Sequence, residues 1–353
     1  MKQRRKNLLR YAAEAECDIL VTTEPENLFY MTGFWGEALG VLEKNGKTTI
    51  IAPELEAGRA KDESSDCTVV TAQRGMGLIS TLAELVKSRA CTDCQDYSTM
   101  NTMKRLIPKI KHAPELFEHA RIIKDASELK ILKKASRIID DMFELCAKEM
   151  YAGQKESELQ AILMSYAAGR EMFDTGYNST LNPLIIAGGP NGALPHAQVT
   201  SRKFKRRDLV VVDLTLRHGG YVSDATRTFA IGRITSDMSD AYEIVKESQY
   251  MGLQKARPGV KCSDVDHTCR KFIQERGFGK YFIHSTGHGI GLQVHEEPSI
   301  SSRSKTVLEK DMAITVEPGI YVPGSFGVRI EDSIIVRDRP ISMHKFTKDL
   351  VVV

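Results

Sequence analysis

No apolar run in this chain of 353 residues approaches the roughly 20 that a bilayer-spanning helix needs, which argues against a membrane protein. The basic start, MKQRRKNLLRYAAEAE, is not followed by an apolar stretch. It reads as an exposed first helical turn rather than a secretory signal. Neither sign of charge dominates: 49 basic and 46 acidic residues leave a net +3, too weak a field to imply nucleic acid or an anionic membrane surface as partner. Cysteine is sparse and scattered, seven residues in all, an odd number that suits reduced thiols in the cytoplasm. Cys91 and Cys94 have CxxC spacing, but no second pair lies near them, so a zinc or redox role there is set aside. Low-complexity segments are also absent. What remains is the composition of an ordinary globular protein, 42% hydrophobic and 27% charged, long enough for two domains and a sizeable core.

The first part of the chain reads as a small α/β domain. Residues 3–16 have helical spacing, Asp18–Thr23 is a buried strand, and Leu39–Ala52 is a hairpin around Asn45-Gly46. A strand at Thr68–Ala72 and a helix at Leu78–Arg89 follow. His112 and His119 have no carboxylate at ligand spacing and are expected to be exposed or structural. The boundary is placed at 118, giving domains of 1–118 and 119–353. Beyond it, Asp125-Ala-Ser-Glu128 is a capping box that opens a long helix with Leu129, Leu132, Ile139, Met142, Phe143 and Cys146 on one stripe. Another helix opens at Ser157, and two more fit Ser239–Ala256 and Ser263–Arg276. Strands recur between them. The fold class is α+β, with helices on one side of a mainly antiparallel sheet, and a helix pair followed by a hairpin occurs twice.

Chemistry gathers on those two hairpins. LVVVDLTLRHGGYVSDATRTF, Leu209–Phe229, is two strands joined at a glycine-rich turn. With His218-Gly219 as the turn, Asp213 faces Asp224, their Cβ atoms roughly 5 Å apart. In Met312–Val336, a register centred on Gly324 places Glu317 opposite Glu331. Opposed carboxylates repel unless a cation lies between them. Pairing of these acids with Arg217, Arg227 and Arg329 is the competing reading. Four carboxylates carry too much charge for one divalent ion and suit two. His288, in STGHGIG between the hairpins, adds an imidazole, and that donor set favours Mn²⁺, Co²⁺ or Zn²⁺. His196, in GGPNGALPHA, and His295, in GLQVHEEP, have the polar, Gly/Pro-rich surroundings of an active-site rim. His218, His267, His284 and His344 are expected to be structural or exposed. On these residues alone the reading stops at a dimetal hydrolase, with a phosphoesterase as open alternative.

The same blocks resemble the pita-bread, or creatinase/aminopeptidase, metallopeptidase family, in its Xaa-Pro dipeptidase (prolidase) and aminopeptidase P branch. ENLFYMTGF and ARIIKDASELKILKKA are similar to that branch's N-terminal and interdomain segments. VVDLTLRHGGYVSDATRTF, STGHGIGLQVHEEP, TVEPGIY and GVRIEDSIIV are similar to its ligand blocks. The resemblance implies a pita-bread catalytic domain behind a small α/β domain. It implies two divalent ions, Mn²⁺ or Co²⁺ foremost and Zn²⁺ also compatible, held by Asp213, Asp224, His288, Glu317 and Glu331. The implied reaction is cleavage of an Xaa-Pro bond by a metal-bridging hydroxide. Glu317 is the general base, His295 steadies the oxyanion, His196 holds substrate, and Arg329 orients the carboxylates. Thr226 and Thr315 are further candidates to support the acids. A homodimer is implied, with Trp35 or its loop reaching the partner's site. Some prolidases have an arginine a few residues past the second catalytic histidine, where this chain has Glu296-Glu297-Pro298-Ser299. Xaa-Pro specificity is therefore firmer than restriction to dipeptides. Aminopeptidase P action on longer peptides, a methionine aminopeptidase and a non-catalytic binding protein are the alternatives.

Overall fold

The computed structural model describes residues 1–177 and 181–353. The chain divides into two compact units, Met1–Arg121 and Ile122–Val353. The first unit runs α1 (Lys2–Glu14), β1 (Ile19–Thr22), α2 (Pro25–Thr32), β2 (Leu39–Glu43), β3 (Thr48–Pro53), α3 (Glu54–Glu63), β4 (Thr68–Ala72), α4 (Met76–Leu85), β5 (Ala90–Thr92), α5 (Tyr97–Leu106), β6 (Ile110–His112) and α6 (Glu115–Ile122). Its six strands form one mixed sheet in the order β4-β3-β2-β1-β5-β6. The Asn45-Gly46 turn joins β2 to β3, with Gly46 at φ +89° as such a turn requires.

Two expectations fail in this unit. The basic start is not all exposed: Arg4 and Arg5 are buried, and Arg5 donates through Nε to the Met31 carbonyl at 2.9 Å and through Nη1 to that of Asp66 at 3.1 Å. A guanidinium carries five donors, so it can tie loop carbonyls that a lysine could not all reach. The cysteines are not all reduced either. Cys17 and Cys91 are joined as a disulfide, with Cα atoms 6.0 Å apart. Cys17 lies just before β1, and β5 pairs in parallel beside that strand, so adjacency in the sheet replaces the missing sequence pattern.

The second unit begins with α7 (Ala126–Glu149) and α8 (Glu156–Ala168), then β7 (Met172–Phe173), β8 (Leu184–Gly188), β9 (Leu209–His218) and β10 (Tyr221–Ala230). It continues through α9 (Ser236–Lys255), α10 (Cys262–Glu275), β11 (Gly287–Gly289), β12 (Glu296–Ile300), β13 (Ala313–Val316), β14 (Gly319–Val322), β15 (Phe326–Arg329), β16 (Asp332–Ile335), β17 (Ile341–Ser342) and β18 (Val351–Val352). Both arms of the capping box form: Asp125 accepts from the Glu128 amide at 2.9 Å and Glu128 from the Asp125 amide at 2.8 Å. The stripe of α7 is buried, with Leu132, Ile139, Met142, Phe143 and Cys146 inaccessible to solvent. Phe143 to Ala would cost about 3–5 kcal/mol through transfer and cavity terms.

Helix pair and hairpin do recur, each with its own core. Side chains of α7 and α8 pack with those of β8, β9 and β10, and side chains of α9 and α10 with those of β13 to β16. The ladders are antiparallel apart from the short β10–β18 pair. Backbone and side-chain bonds then join β10 to the second hairpin. The Glu331 amide donates to the Thr226 carbonyl at 3.1 Å, and Ser333 Oγ to the Asp224 carbonyl at 2.7 Å. No helix among the described residues is long and apolar enough to cross a membrane.

Candidate metal centre

The first hairpin differs from its expected register. His218 pairs with Tyr221, so the turn is Gly219-Gly220, with φ of +55° and +86°. Positive φ at both central positions is what a two-residue turn of this hand needs, and histidine would be strained in the first of them. Asp213 therefore faces Thr226, and Asp224 faces Thr215. The slip is two residues in the sum of paired numbers, so both aspartates keep the same face of the sheet as diagonal neighbours. Thr215 bridges them: its hydroxyl lies 2.7 Å from Asp224 Oδ1 and 3.3 Å from Asp213 Oδ1.

The second hairpin keeps its register. Gly319 pairs with Arg329 and Val316 with Asp332, which brackets Glu317 and Glu331 as opposite residues. Neither glutamate lies within a strand, because the ladder breaks there into the β13–β16 and β14–β15 pairs. Pro318 has no N–H to continue it. The Glu317 amide instead donates to the Thr286 carbonyl at 2.8 Å. Thr286 is buried and anchored to Asp266 of α10, 2.9 Å from its hydroxyl.

His288 Nδ1 lies 3.0 Å from the Gly289 carbonyl, which leaves Nε2 facing the acids, 3.3 Å from Glu317 Oε1 and 3.8 Å from Asp224 Oδ2. Asp224, His288 and Glu331 each offer an atom within 4.8 Å of the others. Burial and the neighbouring Asp213 push the Asp224 carboxyl well above its usual range. Burial and Asp224 do the same to Glu331. Burial opposes the charge on Glu317 too, but the His288 imidazole overcomes it and draws Glu317 down to about 2. Burial likewise works against the His288 cation, which Glu317 and Asp224 raise to about 9. Glu331 Oε1 is buried with no hydrogen-bond partner among the described residues. Crowded acids that resist ionising, an imidazole nitrogen aimed at them and an orphaned carboxylate oxygen fit a divalent cation.

Arg329 answers the competing arginine reading in part. It is buried, with Nη2 2.5 Å from Asp213 Oδ2, Nε 2.9 Å from Thr226 Oγ1 and Nη1 2.7 Å from Tyr321 Oη. Thr226 in turn donates to Glu331 Oε2 at 2.8 Å. Arg227 pairs with Asp332, outside the cluster, and Arg217 donates to the Gly220, Leu292 and Thr175 carbonyls. Thr315 Oγ1 lies 3.2 Å from Glu317 Oε1 and accepts from the His288 amide at 3.1 Å.

His295 stands edge-on to His288, ring centroids 4.4 Å apart. Although His295 is exposed as a residue, desolvation by the surrounding protein and the neighbouring His288 push its pKa down to about 4. His196 is exposed on the loop after β8, next to Pro195, whose carbonyl accepts from Arg329 Nη1 at 3.0 Å. The glycines of that loop seat it on its own base. A Cβ at Gly188 would meet Phe204, and one at Gly192 the Ala187 carbonyl.

Three neighbours were not anticipated. His284, expected to be structural or exposed, is half-buried, with Nδ1 2.7 Å from the Ser285 carbonyl and Nε2 2.9 Å from Tyr321 Oη. Burial lowers its pKa, and the network makes Tyr321 its donor and Arg329 the donor to Tyr321. Tyr177 places its ring edge-on to His295 at 5.1 Å. Thr215 stands two residues after Asp213 on one strand face, a signal that β propensity explains equally well, and His284 stands four residues before His288 in a segment without helix, where that spacing marks nothing. Tyr177 left no such signal.

An α+β unit whose two hairpins carry acids and an imidazole to one buried point defines the class of metal-dependent hydrolases. Residues 130–338 match Metallopeptidase family M24, and residues 4–123 match the Creatinase/Prolidase N-terminal domain. The chain belongs to metallopeptidase family M24 and has its pita-bread fold. It is 34% identical to an Xaa-Pro dipeptidase of Pyrococcus furiosus, over 96% of each chain. Among solved structures, an Xaa-Pro dipeptidase from Bacillus anthracis superposes with a TM-score of 0.92 at 33% identity, covering 100% of this chain and 99% of that one. A prolidase from Pyrococcus horikoshii gives 0.89 at 31%, covering 99% of both.

Proposed function

We propose that the protein is an Xaa-Pro dipeptidase, and that Asp213, Asp224, His288, Glu317 and Glu331 hold two divalent ions. The observation that carries this reading is the cluster of Asp224, His288 and Glu331 within 4.8 Å, inside a chain matched end to end by Xaa-Pro dipeptidases. Bound there, such ions supply Lewis acidity and lower the pKa of water. Glu317 takes the proton from the attacking water. His295 faces the developing oxyanion, its low pKa keeping the ring neutral as a donor. His196 holds the substrate from the opposite loop. Arg329 orients Asp213 directly and Glu331 through Thr226. An Xaa-Pro bond is a tertiary amide without N–H, which ordinary peptidases handle poorly and which suits a dedicated site.

Residues 119–353 carry the chemistry and residues 1–118 the creatinase-like domain. The donor set suits Mn²⁺ or Co²⁺, with Zn²⁺ also compatible. The proposed setting is cytoplasmic and the assembly a homodimer, with Trp35 completing the partner's site. Ser299 leaves no arginine a few residues past His295 for a dipeptide carboxylate, so aminopeptidase P action is the second reading. The test compares Leu-Pro, Met-Pro, a Leu-Pro tripeptide and Met-Ala, with and without Mn²⁺ or Co²⁺. Leu-Pro cleavage that is lost on chelation is expected. Activity surviving exhaustive chelation overturns the metal reading, preference for the tripeptide moves the assignment to aminopeptidase P, and preference for Met-Ala to a methionine aminopeptidase.

A further inference from the structure

We propose that Glu156 is a positioning residue for His196, a buried carboxylate that clamps both ends of the loop from which the histidine hangs. Glu156 opens α8 and is fully buried. Its Oε1 accepts from the Gly188 amide at 2.9 Å. Its Oε2 accepts from Asn191 Nδ2 at 2.9 Å, from the Thr200 amide at 3.0 Å and from Thr200 Oγ1 at 2.6 Å. Gly188 and Asn191 lie at the start of the loop and Thr200 at its end, so one side chain gathers both. The Asn191 amide group extends the clamp across the loop to the Gln198 carbonyl at 3.1 Å. The first turn of α8 adds a second tie, because the Glu156 and Ser157 amides donate to the Arg202 and Thr200 carbonyls at 3.0 and 3.2 Å.

A helix whose only task was packing would place an apolar residue at this point. Burying a carboxylate is unfavourable unless its lone pairs are used, and here four donors use them. His196 itself is exposed, so the backbone beneath it sets where the imidazole sits. That backbone is held at its base by Glu156 and near its tip by Arg329 on Pro195. A glutamine at 156 would turn an NH₂ towards donors it now accepts from, whichever way the amide is oriented.

The role of His196 rests on the function proposed above, and the test separates the two. In the Mn²⁺-loaded enzyme, Glu156→Gln is expected to lower kcat/KM for Leu-Pro by between about 10-fold and 100-fold, the scale of a misplaced substrate contact. Metal content should stay at the wild-type value. Amide hydrogen exchange over residues 188–200 should speed up in metal-free and loaded protein alike. In a His196→Ala background the same substitution should add less than about twofold, because the two act through one interaction. Should Glu156→Gln fail to fold, Thr200→Val, which removes the hydroxyl that donates to Glu156 and accepts from the Arg202 amide but keeps the Thr200 amide on the carboxylate, must give a smaller loss that also disappears without His196. Losses that multiply in the double variant, or unchanged exchange at 188–200, overturn the proposal. Wild-type protein inactive on every Xaa-Pro peptide overturns the function instead, and leaves the exchange experiment to judge the clamp.

Discussion

Glu331 and Thr226 show how residue chemistry sets the centre. Thr226 spends its hydroxyl proton on Glu331 and its lone pair on Arg329. Replacing it with valine keeps the shape of the strand and removes both bonds. The expected result is a loss of about 10-fold to 100-fold in metal affinity with a nearly unchanged fold, measured by metal titration beside circular dichroism. The acids and His288 also fix a pH dependence. Below about 9 His288 carries a proton, and Asp224 and Glu331 hold theirs to higher pH than ordinary carboxyls. A cation must displace those protons. Affinity should weaken as pH falls and each loading should release protons, which calorimetry in buffers of different ionisation enthalpy reads directly. Pairing of Asp224 with His288 was legible only as a collection of ligand types. The hydroxyl of Thr215 between two aspartates was not, because a threonine in a strand is explained equally well by β propensity.

Among elements, the two hairpins differ in how far their sequences could be read. Pro323-Gly324-Ser325 admits one register, and the strand pairs on both sides of Glu317 and Glu331 follow it. His218-Gly219-Gly220 admits two, and the demand for positive φ at both turn positions selects the glycine pair. The error left the face of each aspartate intact because it was even. Residues between elements were harder, since α2, α3, α5 and α6 lie where no apolar stripe is long enough to stand out. At α5 the signal was a cap, Asp96 accepting from the Thr99 amide at 2.7 Å. Packing between elements yields its own expectation. A Cβ at Gly327 of β15 would collide with the Gly192 carbonyl, so Gly327→Ala should destabilise by about 1–3 kcal/mol in denaturant melts. A second contact holds the segment before His295. Lys124 Nζ lies 3.1 Å from Glu296 Oε2, both side chains are buried, and Glu296 Oε1 accepts from the Leu292 amide at 2.9 Å. Lys124→Met removes a buried ammonium from its carboxylate and should cost about 3 kcal/mol by the same melts.

For the molecule as a whole, cysteine distribution gives a count that a simple reagent can check. Cys94, Cys146, Cys262 and Cys269 are buried, and burial raises each thiol pKa, Cys262 to about 11 and Cys269 to about 12. Burial raises the Cys67 thiol as well, and what sets it apart is that it is only half-buried. A thiol-specific reagent should therefore label Cys67 first in native protein, reach five thiols in denaturant, and reach seven after reduction of Cys17–Cys91. Seven thiols in unreduced, denatured protein would show that the pair stays open in solution.

The guanidinium at 329 has a further consequence for anyone mapping tolerance along this chain. It serves an acid, a hydroxyl, a phenol and a loop carbonyl at once, in a planar fork no ammonium can imitate. A saturation screen would score this position among the least forgiving in the protein, lysine included, although the side chain need never touch an ion or a peptide.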